Sequence, residues 1–360
     1  MRKIFLILLV VALAALAIAI YLPAILSMFR DEEPLVEDVA PVGPSFSADS
    51  AYAFCQAQCD FGSRAMNTEG HERCKDWIIE KFKQYGCVVT TQQTDIKGYD
   101  GTVLHATNII ARFRPELTTR ILLCAHWDSR PWADNDPDEA NWRKPILAAN
   151  DAASGVAVML EIARLLSSEN TPTPTTQHLP PNTQHPTPTT QHPTPTIGID
   201  FICFDAEDWG TPQWEENHAE SDNSWALGSN YFAQNLPERY EVRYGILLDM
   251  VGGQGAKFYQ EQISLHFASA IVEKVWRAAE QAGFASYFPK TTGGQINDDH
   301  FPLNRYARIP TIDIIPYYPD CPQSTFGPTW HTLNDDMQHI DRNTLKAVGQ
   351  TIVQVIWTEQ

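Results

Sequence analysis

From Cys87 to Tyr318 short apolar runs recur along the chain, each rich in β-branched side chains: CVVTTQQTDI, TNIIARF, RILLCAHWD, IGIDFICFDAE, YGILLDMVG and IPTIDIIPYY. Runs of that length and composition predict strands. Around and between them lie longer segments with apolar residues three and four apart: SADSAYAFCQAQCDFG, TEGHERCKDWIIEKFKQYG, VAVMLEIARLL, SLHFASAIVEKVWRAAEQAG and NTLKAVGQTIVQVIW. These predict helices, the second opening on Thr68 as its N-cap and closing at Gly86. Strands alternating with helices predict an α/β fold, a single globular domain with a central mixed, mostly parallel sheet flanked by helices on both faces.

Two segments fall outside this pattern. In residues 1–29, Arg2 and Lys3 precede an uncharged apolar run from Ile4 to Phe29, long enough as a helix to cross a bilayer. The segment reads as an N-terminal membrane anchor or signal, and Ala17 to Ala19 offers the small-x-small spacing of a cleavage site. Its positive end predicts that the bulk of the chain lies on the non-cytoplasmic side, periplasmic or extracellular, and is secreted if the segment is cleaved. Residues 30–46 are charged and Pro-rich, a linker to a folded domain spanning 47–360. Inside that domain, residues 167–196 repeat TPTTQH with almost no apolar side chains, which predicts a disordered loop insertion. Its histidines, His178, His185 and His192, read as solvated residues of that loop.

Composition narrows the function classes. The 26 Lys and Arg against 44 Asp and Glu leave a formal charge of −18, which repels phosphate backbones and excludes nucleic acid as an expected partner. Seven cysteines, an odd number, leave at least one thiol unpaired in the expected monomer, and Cys124 and Cys203 fall inside strands as core residues.

In open α/β sheets ligands bind beyond the carboxyl ends of the strands. Polar residues collect there: His126 after RILLCA, Glu207 and Asp208 after FICF, Asp249 after YGILL, Asp151 just before a helix, and His331 in TWHT. Each has an ordinary alternative as a cap, a turn former or a buried polar residue, but five potential ligands at separate strand ends and loops point jointly to a metal. Two imidazoles and three carboxylates suit zinc. Strand alternation would turn one of the adjacent acids toward the metal, so Asp208 is the expected ligand and Glu207, unbound beside it, the expected general base and acid.

The segments HWDSRP, NDAASGVAVMLEIAR, FDAEDWG, LLDMVG, NDDHFPL and WHTLND resemble, in order and approximate spacing, the zinc exopeptidase-like family that includes dinuclear zinc aminopeptidases and glutaminyl-peptide cyclotransferases, or glutaminyl cyclases. The resemblance runs from about Ser47 to the end, apart from the Thr/Pro repeat. DDHFPL, from Asp298, and Trp330 beside His331 are similar to the cyclase motifs. The resemblance implies one zinc per chain on Asp151, Asp208 and His331, with His126 and Asp249 as a second site or as support. It further implies Glu207 as proton shuttle, Asp298 and Asp249 as an acidic network, and Trp330, Trp214 and Phe326 as pocket walls, with Trp209 the rival of Trp214. The implied substrates are peptides and proteins with N-terminal glutamine, converted to pyroglutamate with release of ammonia; a dinuclear zinc aminopeptidase is the alternative. Two positions depart from the animal cyclases: Asp208 stands where they carry glutamate, and Asp313 where they carry histidine.

Overall fold

A computed structural model of the protein describes residues 41–169, 194–215 and 223–359. The expected anchor and most of the linker and of the Thr/Pro repeat lie outside these residues. In chain order the elements are α1 (Ala48–Cys59), α2 (Glu69–Gln84), β1 (Val88–Lys97), β2 (Val103–Phe113), β3 (Arg120–His126), α3 (Ala153–Glu169), β4 (Gly198–Phe204), α4 (Leu227–Gln234), β5 (Gly245–Leu248), α5 (Gln262–Gln281), β6 (Thr311–Ile314) and α6 (Arg342–Thr358). All six expected strands and all five expected helices are present. The short α4 was not anticipated, because eight residues carry too few turns to show a helical period.

The strands form one sheet in the order β1-β2-β4-β3-β5-β6. β1 and β2 are an antiparallel hairpin and β2 runs antiparallel to β4, while β4, β3, β5 and β6 are mutually parallel. The mixed, mostly parallel sheet expected from the sequence is therefore what forms. Alternation along the strands divides the interior in two. Ile121, Leu123, Phe201, Cys203, Ile246, Leu248, Ile312 and Ile314 face the larger core, beneath α3, α6 and α5. Leu122, Cys124, Ile202, Phe204 and Leu247 face the other side, under Phe232 of α4 and Leu303. Strands buried on both faces read as continuous apolar runs, as these do. All seven cysteines are free thiols, with Cys124 and Cys203 buried in β3 and β4 as expected. Among the described residues no helix is long and apolar enough to cross a membrane.

At the amino ends of the parallel strands, remote from the polar strand ends, Arg120 and Asp200 form a buried pair. Arg120 Nε donates to Asp200 Oδ1 at 2.9 Å and its Nη2 also donates to the carbonyls of Phe113 and Ile199, both at 3.1 Å. Removing Arg120 leaves the buried Asp200 charge with only the half-buried Arg112, whose Nε lies 3.3 Å from Oδ1. Arg120→Ala should therefore lower unfolding stability by about 3–5 kcal/mol in chemical denaturation, whereas removing an exposed partner such as Lys83 of the Lys83–Glu80 pair should cost under about 1 kcal/mol.

Candidate active site

Four parallel strands end on one side of the sheet, and the polar residues gather just beyond those ends. His126 is the last residue of β3, Asp249 follows β5 directly, and Asp151 precedes α3 by two positions. Glu207 and Asp208 lie past the end of β4, and His331 sits in the segment between β6 and α6. Local backbone conformation aims several of them. Ala206 (φ 52°), Met250 (φ 53°) and His331 (φ 53°) occupy the left-handed region, which non-glycine residues rarely adopt. Gly155, in the first turn of α3, allows that helix to approach β5, because a Cβ there would fall 2.1 Å from the Leu248 carbonyl oxygen. That approach brings Asp151 beside Asp249.

Two further carboxylates grip the loops. Asp128 accepts from the backbone N–H groups of both Glu207 and Asp208 at 3.2 Å. Asp335 accepts from those of Asn150 (2.7 Å) and Asp151 (3.1 Å). This corrects the expectation for the acid doublet: Glu207 and Asp208 are separated by a turn anchored on Asp128, since β4 ends at Phe204, and not by strand alternation. The third acid of the run, Asp205, is a buried partner of His71 Nε2 at 2.8 Å and accepts from Thr107 N–H.

The expected ligands come together in two buried groups that share Asp151: Asp151, Asp208 and His331, and His126, Asp151 and Asp249. His331 Nε2 lies 3.1 Å from Asp208 Oδ1 and 3.6 Å from Asp151 Oδ2. His126 Nε2 lies 2.9 Å from Asp151 Oδ1 and 3.3 Å from Asp249 Oδ1. Asp151, Asp208, Asp249 and His331, with Glu207 and Asp298, line a cavity of about 230 Å3 walled by Trp225, Phe326 and Trp330. Trp330 stacks on the His331 ring at 3.8 Å between centroids, and Trp225 lies parallel to it at 5.8 Å. The expected wall at Trp214 is thereby corrected. Trp214 packs with Trp132 and Trp142 away from the cavity lining, as its rival Trp209 does with Trp132, and Trp225 takes the place. The aromatic spacing between Asp208 and Trp225 does not tell which ring turns inward; only the loop path does.

Electrostatically the site holds more negative charge than it balances. Burial pushes the Glu207 carboxyl well above the usual carboxylate range, reinforced by Asp208, Asp298 and Asp299 against the opposing charge of His126. Burial and the neighbouring Asp151 carry Asp249 up to about 8. Behind Asp298, the Asp313 carboxyl is raised by burial and then by Asp298 and Asp249. Both oxygens of Asp208 and Oδ1 of Asp249 are buried yet accept no hydrogen bond. Orphaned carboxylate oxygens facing an imidazole nitrogen are what a divalent cation satisfies, and oxygen and nitrogen donors in this number suit zinc. The donor set fits the metal.

Glu261 organises the wall opposite. Its carboxylate caps α5 through Ile263 and Ser264 N–H, accepts from Ile296 N–H, and lies 3.2 Å from His300 Nε2. It thus fixes the loop that carries Ile296 and Asp298 into the cavity. Asp335, Glu261 and Trp225 were not singled out from the sequence. Asp128 and Asp335 do lie within HWDSRP and WHTLND, where their acidic character two and four residues from His126 and His331 was the available signal.

Residues 108–356 match peptidase family M28. The chain belongs to that family. It is an enzyme family dependent on zinc, and solved structures similar to this chain are described both as glutaminyl cyclases and as an aminopeptidase or an exopeptidase. A Bacteroides thetaiotaomicron glutaminyl cyclase, solved with N-acetylhistamine bound, is 47% identical, superposes with a TM-score of 0.79, and is covered over 100% of its length by 88% of this chain. A structure described as a leucine aminopeptidase precursor of the same organism is also 47% identical, with a TM-score of 0.78 over 88% of this chain and 99% of that one. The glutaminyl-peptide cyclotransferase of Bos taurus is 23% identical over 273 residues, which are 70% of this chain and 66% of that protein. The chain thus spans slightly under two thirds of that relative, and 40% of a Bacillus subtilis aminopeptidase it also matches.

Two outcomes test this geometry. Asp208→Ala and His331→Ala should each weaken zinc retention in equilibrium dialysis by more than the roughly 10–100-fold typical of outer supporting residues; dialysis curves matching the unaltered protein would remove both from the metal centre. Burial alone would raise the Glu261 carboxyl, but the hydrogen bond and charge of His300 and the backbone N–H groups outweigh it and hold it at about 2, against 4.5 unperturbed. A depressed carboxylate contributes stability that is complete above its unfolded pKa and lost as pH falls toward the folded one. Stability should therefore fall between about pH 4.5 and pH 2 in acid titrations, and Glu261→Gln should flatten the profile across that window.

Proposed function

We propose that the protein is a glutaminyl-peptide cyclotransferase, converting N-terminal glutaminyl residues of peptides and proteins to pyroglutamate with release of ammonia. The observation that carries this reading is the small cavity in which Glu207 and Asp298 face the Asp151, Asp208 and His331 group between aromatic walls. Its size suits one short side chain with its α-amine. Support also comes from the 47% identity to a glutaminyl cyclase.

Asp151, Asp208 and His331 would hold zinc, which when bound supplies Lewis acidity toward the side-chain carbonyl of the glutamine. Trp225, Trp330 and Phe326 hold that side chain folded back on its own α-amine, so the reaction is intramolecular and needs one conformer. The α-nitrogen forms a bond to the side-chain carbonyl carbon while the bond from that carbon to the amide nitrogen breaks. Glu207, as carboxylate, takes the proton that the amine loses and gives it to the departing nitrogen, so the carboxylate is regenerated and ammonia leaves. A carboxyl raised by burial is suited to both halves of that transfer, since it holds a proton more firmly than an exposed one and still returns it. Asp298, with Asp249 behind it, meets the positive charge that develops on the attacking nitrogen. The aromatic walls exclude water, whose attack on the same carbon would give glutamate instead.

A second reading rests on a specific feature. His126, Asp151 and Asp249 form a second buried ligand group, as a dinuclear aminopeptidase requires, and one neighbour at 47% identity is described as a leucine aminopeptidase precursor. The two readings part on products. Purified zinc-loaded protein should release ammonia from a Gln-peptide and no leucine from a Leu-peptide, and Glu207→Gln should lower kcat on the Gln-peptide by about 10²–10⁴-fold. Free leucine without ammonia would replace the cyclase by the aminopeptidase.

A further inference from the structure

Beside His331 lies an ion pair for which the chemistry above has no use. Arg130 and Asp134 are each 1% exposed. The guanidinium grips the carboxylate with two parallel hydrogen bonds, Nε to Oδ1 at 2.8 Å and Nη2 to Oδ2 at 2.7 Å, and Oδ2 accepts a third from Gln213 N–H at 3.0 Å. Arg130 Nη1 donates to the carbonyls of Asp208 and Gly210, both at 3.1 Å, and stands 3.6 Å from Asp208 Oδ1. The Trp225 ring covers the guanidinium at 4.6 Å. On the other side, Asp134 Oδ1 lies 3.6 Å from Nδ1 of His331, whose Nε2 faces Asp208 and Asp151. The next residues fasten the His331 segment by its backbone: Asn135 N–H donates to the His331 carbonyl at 3.0 Å, and Leu333 N–H donates to Asp136 at 3.1 Å.

Burying two opposite charges costs desolvation that their attraction only partly returns, so such a pair is a weak source of stability, and apolar side chains of similar volume would fill the space as well. What apolar side chains could not do is set a carboxylate against one nitrogen of an imidazole. Carboxylates in that place fix the ring's orientation and tautomer in histidine metal ligands.

We propose that Asp134, held in place by Arg130, is a positioning residue for His331, facing Nδ1 so that Nε2 is presented to the metal, and that the pair locks the His331 segment to the Asp208 loop. A neutral imidazole carries one ring proton, and a carboxylate beside Nδ1 favours it there, leaving the Nε2 lone pair toward Asp208 and Asp151. The 3.6 Å contact acts through charge and ring orientation, being longer than a direct hydrogen bond. Two ligands from distant stretches of chain are thereby oriented by a single pair four residues apart. The inference rests on His331 as a zinc ligand and is independent of which substrate the enzyme turns over.

The test is Asp134→Asn, which keeps the shape and an acceptor for Arg130 while removing the charge. Zinc affinity is measured by chelator competition, alongside thermal unfolding of the metal-free protein. The expected result is zinc bound about 10–100-fold more weakly with the metal-free unfolding temperature unchanged within about 4 °C. Unaltered zinc affinity overturns the proposal, as does a metal-free form that is destabilised in proportion to the lost affinity. If the variant does not fold, nitrogen NMR of the imidazoles in the zinc-loaded natural protein decides. A proton on His331 Nδ1 with zinc on Nε2 supports the assignment, and zinc on Nδ1 overturns it. Because neither readout uses substrate, failure here leaves the ammonia assay to stand or fall by itself.

Discussion

Like charges crowded into a dry cleft set the terms for this structure. Asp151, Asp208, Asp249, Glu207, Asp298 and Asp299 are all buried beyond the carboxyl ends of the sheet, and Asp313 is buried within β6 close by. In a medium of low effective dielectric, carboxylates a few ångströms apart cannot all stay ionised without compensating positive charge. The chain itself supplies little: His126, His331 and Arg130 are the basic groups in direct contact with the ligand carboxylates. The deficit appears as raised carboxyl pKa values at Glu207, Asp208, Asp249 and Asp298, and as buried carboxylate oxygens that accept no hydrogen bond. A zinc ion would answer that deficit, so the packing of the site and its fitness for a metal are expressions of one charge imbalance.

Holding such a cluster in register requires anchors outside it. Asp128 and Asp335 each accept two consecutive backbone N–H groups, one pair beneath Glu207 and Asp208 and the other beneath Asn150 and Asp151. Glu261 does the same for the first turn of α5 while also receiving Ile296 N–H, and through that loop it steadies Asp298. The carboxylates of the site thus fall into two kinds. Some have their lone pairs filled by backbone donors and serve as fixed struts. Others are left unfilled and are available to a cation. Burial alone does not separate them, since both kinds are inaccessible; hydrogen bonding does.

How much of this could be read beforehand follows from where each feature is encoded. The order of strands and helices, the double-sided burial of β3 to β5 and the positions of His126, Asp151, Asp208, Asp249 and His331 were legible, because residue periodicity and strand-end placement are properties of adjacent positions. The short α4 was not, having too few turns for a period. Trp214 was expected in the cavity wall and Trp225 stands there, because several tryptophans between Asp208 and Trp225 have equal claim by spacing.

The sequence by itself determined the architecture and the inventory of candidate ligands, since alternation and apolar periods commit each segment before any long-range contact forms. The tertiary structure alone decided where the side chains point. Ala206, Met250 and His331 take left-handed backbone conformations that nothing in an alanine, a methionine or a histidine announces. Likewise the Arg130–Asp134 pair draws its meaning from His331, some two hundred residues further along the chain, and only the closed sheet brings them together.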